Sequence, residues 1–324
     1  MPYDEQAERR RAGARVTRRA LVLFGLMSLI WGIPYLFIRI AVAEISPATL
    51  VFARTGIAAL ILLPIALLRI DLRPVLVRWR WVVAFAAAEV GVPWVLLASA
   101  EQRVTSSLAG LLVAGVPLVG IVIAAATRGR DRVGGAGLLG LLLGLAGVAA
   151  IVGVDIDASN RIALLEMAVV IVGYAAGPAI LSRRLAGLPS VGVMALSLSL
   201  CAVVYAPVAF VQRPPEVPDT GVLVAIAVLG VVCTALAFLL FSALIDEIGP
   251  VRATVITYIN PAVAALLGAL VLHEPLTVVM GGGFGLVIVG SALSTRSPAA
   301  RTPEPRELVD ERRPTGAEVD ESTA

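Results

Sequence analysis

Apolar stretches of about twenty residues recur from one end of the chain to the other, and short segments carrying most of the arginines separate them. Ten such stretches cover residues 20–42, 48–68, 81–100, 106–126, 134–154, 162–181, 190–211, 220–242, 251–272 and 276–294. A helix rises ~1.5 Å per residue, so each stretch matches the ~30 Å hydrocarbon core of a bilayer. The pattern predicts an all-α polytopic membrane protein with ten transmembrane helices. The first stretch ends in Ala41-Val42-Ala43 behind a basic segment, which has the look of a signal peptide. It is longer than the ~7–15 residues of a signal h-region, and the repeat described next requires it, so it reads as a span. Residues 295–324 are rich in Pro, Glu and Arg without an apolar period, and read as a disordered tail.

The spans repeat. Pro34 and Pro178 stand 144 positions apart, Pro47 and Pro189 142, Pro64 and Pro207 143, and Pro117 and Pro261 144. Asp131 and Glu274 follow the same offset, as do Gly147 and Gly290. One proline match means little in a membrane protein, but four in order at one offset define two repeats. The chain then divides into a basic tail (1–19), a first repeat of five spans (20–154), a second (155–294) and the C-terminal tail (295–324). Five is odd, so the second repeat enters the membrane from the opposite side. Inverted repeats with prolines at matching depths are the plan of alternating-access carriers, whose substrate site lies near the midplane between the repeats.

Composition agrees with this class and removes others. The chain is 59% hydrophobic and 15% charged, against roughly 25% charged in soluble domains. Every basic residue is arginine, and the arginines are spread between apolar runs, which is no nucleic-acid patch. The two cysteines, Cys201 and Cys233, and the single histidine, His273, supply neither a disulfide framework nor a metal site, so no metal or cofactor is expected. With odd-to-even loops outside, nine loop arginines fall inside against three outside, and six more precede residue 20. The positive-inside rule then puts both termini in the cytoplasm of a cell (inner) membrane protein.

Certain residues also resemble a known family. The stretch Trp31-Gly32-Ile33-Pro34-Tyr35-Leu36-Phe37-Ile38-Arg39 opens the first repeat, and Ser46-Pro47 leads to Arg54. Span nine reads YINPAVAALLGALVLHEPLT and span ten GGGFGLVIVG. This combination resembles the EamA family of the drug/metabolite transporter superfamily over about residues 20–295. The resemblance implies ten helices in two inverted five-helix repeats, and export of amino acids or related small metabolites by many members. The family often has Gly-Glu after span four, where this chain has Gly129-Arg130-Asp131.

Charged groups inside spans are costly, about 2.5–3.5 kcal/mol at the centre on insertion scales, and usually face a cavity or a partner. Glu89 is the only charge between Arg80 and Glu101. It reads as a proton-coupling site or a contact for a substrate amine; the structural alternative is a protonated acid or a partner of Arg54. Arg54 can bind a substrate carboxylate, hold Glu89 or helix-end carbonyls, or snorkel to headgroups. Tyr35, Tyr174, Tyr258 and Asn260 are further polar groups with reach, and Trp31 and Trp94 line the cavity or face lipid. Asn260, before Pro261, can instead satisfy carbonyls that the proline leaves free. Asp131 and Glu274 occupy matching span ends, either as boundary charges or as gates pairing with an arginine. Pro34, Pro93, Pro117, Pro178 and Pro261 are the candidate hinges.

The expectation is a secondary transporter that moves a small metabolite by alternating access, most simply exporting an amino acid or related compound in exchange for protons. Its partners would be that substrate, protons and the lipid bilayer, with no nucleic acid; an oligomer has no support in the sequence. An uptake carrier or facilitator of the same fold remains open. A lipid-modifying membrane enzyme lacks the clustered His, Asp or Glu it would need, and a non-transporting receptor would bind without moving its ligand.

Overall fold

A computed structural model describes residues 17–128, 135–153, 160–249 and 253–295. Among them every regular element is helical. We label the apolar helices α1 (Arg18–Ala41), α2 (Pro47–Arg69), α3 (Trp79–Ala100), α4 (Ser106–Val113 and Val116–Arg128), α5 (Gly135–Gly153), α6 (Asn160–Arg184), α7 (Ser190–Val211), α8 (Thr220–Ile248), α9 (Asn260–Val271) and α10 (Val278–Thr295). Seven apolar helices are long enough to cross a membrane by length and composition, and three shorter ones, in α5, α9 and α10, accompany them. The ninth predicted span is the least regular: a 3-10 turn, Thr254–Tyr258, precedes α9.

Local sequence explains the starts. Ser46 accepts a hydrogen bond from the Thr49 N–H at 3.2 Å, with Pro47 at the first helical position of α2. Thr105 does the same for the Leu108 N–H at 3.2 Å, opening α4. Connections collect at two ends. At the N-terminal face Thr17 and Arg19 meet Glu247, and Arg78 Nη1 donates to the Arg184 carbonyl at 2.7 Å. At the opposite face the Asp219 N–H donates to Glu44 at 2.8 Å, and Arg103 pairs with Glu166 at 2.8 Å. The first helix of the second repeat therefore begins at the end opposite to the first helix of the chain.

Packing carries the same symmetry. Contacts across the repeats join α2 to α7, α4 to α9 and α5 to α10, which are equivalent spans of the two repeats. The contact of α3 with α6 is mirrored by that of α8 with α1. Between α5 and α10 glycines let backbones touch: a Cβ on Gly290 would lie 2.5 Å from the Gly140 carbonyl, and one on Gly147 2.5 Å from that of Gly283.

The helices break where the polar residues sit. In α1 a turn at residues 31–33 precedes Pro34, and in α4 a turn at 114–115 precedes Pro117. A π-helical segment, Ala86–Gly91, interrupts α3 ahead of Pro93. A second, Val228–Leu236, interrupts α8 without any proline. Pro178, by contrast, lies inside the unbroken α6. The repeat equivalence of Pro34 and Pro178 is thus one of position and not of local geometry.

Candidate functional site

Two wide turns, one in each repeat, frame the site. Glu89 lies in the π turn of α3; its equivalent 144 positions on is Cys233, in the π turn of α8. A π turn inserts one residue into the helical ladder, leaving backbone groups unmatched, and such turns concentrate at functional sites. The Glu89 side chain packs against Gly177 of α6, where an added Cβ would collide with its carboxyl. Glu89 Oε2 is buried there without a hydrogen-bond partner.

Arg54 projects from α2 toward the other π turn and is 7% exposed. Its Nε donates to Thr234 Oγ1 at 2.8 Å, and Thr234 Oγ1 donates in turn to the Leu229 carbonyl, five residues back, at 2.7 Å. The guanidinium lies 3.7 Å from the centre of the Trp94 ring, a stacking that suits a planar, weakly hydrated cation. Arg54 is thereby fixed by one residue of each repeat. Its terminal nitrogens have no hydrogen-bond partner among the described residues, and no Arg54–Glu89 ion pair forms. The pairing with Glu89, one of the roles open to Arg54 in sequence, does not form.

Tyrosines fill the space between. Tyr174 of α6 packs against two of the hydrophobic clusters and lies within electrostatic reach of Arg54, Glu89 and Glu101. Tyr35, just after the break in α1, is 6% exposed and within reach of Arg54, Tyr174 and Glu101. Trp94, Tyr35, Tyr174, Arg54 and Glu89 therefore form one neighbourhood.

The remaining candidates fall elsewhere. With its amide turned to satisfy two carbonyls, Asn260 donates to Ser28 O at 3.1 Å and Ile256 O at 2.9 Å, tying α1 to the start of α9. Tyr258, in the 3-10 turn before it, is half-buried. Trp31 packs edge-on against Phe238 at 6.0 Å and tilted against Phe241 at 4.6 Å. Glu274 meets no arginine among the described residues. It accepts from the Ser106 and Ser107 N–H groups, both at 2.8 Å, and from both serine hydroxyls. A carboxylate on the first turn of α4 is stabilised by free amides and the helix dipole. His273, with φ 55°, turns the chain so that Glu274 can reach back, and Gly268 leaves room for the clamp. Asp131 lies outside the described residues.

Three residues of the site escaped the sequence reading: Thr234, Gly177 and Glu101. Glu101, beside Gln102 and Arg103 in sequence, is fully buried.

Inverted helical repeats with buried polar side chains at their interface fit the plan of a membrane transporter. The EamA-like transporter family matches the chain twice, over residues 18–153 and 161–296, and the chain belongs to that family. It is 28% identical over 293 residues, 86% of this chain and 92% of its relative, to a protein of Escherichia coli (strain K12) described as "Uncharacterized inner membrane transporter YedA". The corresponding protein of Escherichia coli O157:H7 matches equally. A solved structure described as "Crystal structure of protein" shares the fold at a TM-score of 0.61 and 21% identity, over 85% of this chain and 96% of that one.

Proposed function

We propose that this transporter exchanges protons for a small carboxylate-bearing metabolite, an amino acid or close relative, across an inner membrane. The carrying observation is Arg54: a buried guanidinium, oriented from both repeats, whose terminal fork is unused. Two parallel N–H groups fit a carboxylate bidentately, with more strength and direction than a point charge gives. Glu89 supplies the complementary group. Its buried, unpartnered oxygen favours a protonated acid while the site is closed, and hydration in an open state favours release of the proton. A proton and a substrate ammonium would compete for this carboxyl, so exchange of one for the other follows from a single group.

The remaining architecture fits that reading. Ten helices span the membrane, with the N-terminal face and both termini in the cytoplasm, as the loop arginines favour. The breaks ahead of Pro34, Pro93, Pro117 and Pro261 serve as hinges. Export is the direction implied by the family resemblance.

The test uses purified protein in proteoliposomes loaded with a pH dye, with pooled amino acids, nucleosides or sugars added outside. Wild type should move protons with the amino-acid pool, and Glu89→Gln should not. Amino-acid movement without protons, unchanged in Glu89→Gln, would leave Glu89 a structural acid and sink the coupling. Movement of only the sugar or nucleoside pool would sink the carboxylate assignment.

A further inference from the structure

The carboxyl of Glu101 belongs to none of the hydrogen bonds described so far. Glu101 follows the last residue of α3, is completely buried, and has no hydrogen-bond partner at Oε1 or Oε2. Its backbone carbonyl accepts from Arg39 Nη1, which ties α1 to the end of α3 and leaves the carboxyl alone. The charged and titratable groups facing it are Glu274 from the α9–α10 connection, Arg39 and Tyr35 from α1, Arg54 from α2 and Tyr174 from α6. Neither arginine forms an ion pair with it. An ionised carboxylate without a partner in a dry interior costs several kcal/mol. The protonated acid avoids most of that cost, so the closed protein holds Glu101 neutral.

The position of Glu101 supplies the way out for its proton. The turn at residues 101–104 joins α3 to α4, whose first turn is held by the Glu274 clamp on Ser106 and Ser107. Releasing that clamp frees the connection at the face opposite the N-terminus and admits water to the carboxyl. The O–H bond then breaks, the proton passes to water, and the hydrated carboxylate remains until closure expels the water. Glu89 lies on the same span, twelve positions earlier, about 18 Å along a helix rising ~1.5 Å per residue. Tyr174 stands within reach of both carboxyls.

Resting on the proton-coupled reading above, we propose that Glu101 is a second proton site, distinct from Glu89, which exchanges its proton with the compartment at this face when the Glu274 clamp opens. The pair places one proton site in the central cluster and one behind the clamp. A carrier of this kind can hold its coupling proton while the substrate site is occupied.

Infrared difference spectroscopy of the full-length protein in lipid nanodiscs reads the C=O stretch of protonated carboxyls and needs no substrate. Wild type should show a protonated-carboxyl band that is absent in Glu101→Gln and retained in Glu89→Gln. In deuterated buffer this band should shift slowly in wild type and at least about tenfold faster in Glu274→Ala, because exchange follows local opening. Glu101→Asp keeps a titrating group and should keep a displaced band, which separates loss of the proton site from loss of the fold. A spectrum unchanged by Glu101→Gln, or an exchange rate unchanged by Glu274→Ala, overturns the proposal. If the band behaves as stated but amino acids drive no proton movement in proteoliposomes, the proposed exchange fails while Glu101 stands as a clamp-gated proton site.

Discussion

Arg54 shows how much of the site rests on single side chains. Its direction comes from the Thr234 hydroxyl at 2.8 Å and the Trp94 face at 3.7 Å, and neither would hold a lysine in the same way. Arg54→Lys keeps the charge but loses the fork and the planar stack. We expect the half-saturating concentration for the amino-acid pool to rise about tenfold or more, the cost of one charge-assisted hydrogen bond, as measured by initial rates in proteoliposomes. Gly177 makes the opposite kind of test, since a Cβ there meets Glu89 while one on Gly56 meets nothing within 4 Å. Gly177→Ala should cost about 0.5–1.5 kcal/mol, because the Glu89 side chain must leave its rotamer, and Gly56→Ala should leave the fold near wild type, as read by thermal unfolding in detergent. Glu89 and Arg54 stood out in the sequence because a charge inside an apolar run is conspicuous. Thr234 and Gly177 did not, because small and weakly polar residues are common in membrane helices. Glu101 was hidden differently: of the charged groups that face it, Arg39, Arg54 and Glu274 all lie far away in the chain.

At the level of elements, the helix breaks decide where these side chains point, and they were only partly readable. The prolines marked the breaks before Pro34, Pro93, Pro117 and Pro261, yet Pro178 sits in a continuous helix and the π turn of α8 has no proline. A π turn has no residue signature, because it is chosen by what the widened helix packs against. Here α2 lies against the π turn of α8 and α7 against that of α3. The glycines of the last span in each repeat, of which Gly147 and Gly290 follow the repeat offset, are small residues that permit close packing. At Gly290 an added Cβ would meet the Gly140 carbonyl and the Gly144 N–H group, both at 2.5 Å. Backbone cannot swing aside as a side chain can. Gly290→Ala should therefore separate α5 from α10 and cost about 1–3 kcal/mol, whereas Gly281→Ala, with nothing within 4 Å, should be silent. Thermal unfolding of the two variants decides this, and equal melting temperatures would refute the close contact.

The whole molecule adds a symmetry that no single span contains. Arg103, between α3 and α4, pairs with Glu166 near the start of α6 at 2.8 Å; Glu247, near the end of α8, pairs with Arg19 near the start of α1 at 3.2 Å. Arg103 and Glu247 are equivalent positions, 144 apart, so the two faces carry the same latch with its charges exchanged. Both pairs reach solvent, and exposed pairs are worth about 0–1 kcal/mol each. That is too little to lock the fold. In the proposed exchange cycle it would be enough to tilt an equilibrium between two open states, since about 1 kcal/mol shifts a population several-fold. Arg103→Ala should favour opening at its face and Arg19→Ala opening at the other. Cysteines placed at Ser99 and at Ser242, one near each latch, would report these shifts by opposite changes in labelling by a membrane-impermeant thiol reagent. Because the latches sit at opposite ends and share no residue, their effects should add, and the double variant should return close to wild-type labelling. Same-direction shifts from the two single variants would mean that the pairs are ordinary surface contacts. Cancellation would mean that the inverted repeat keeps its two faces balanced with one weak bond on each.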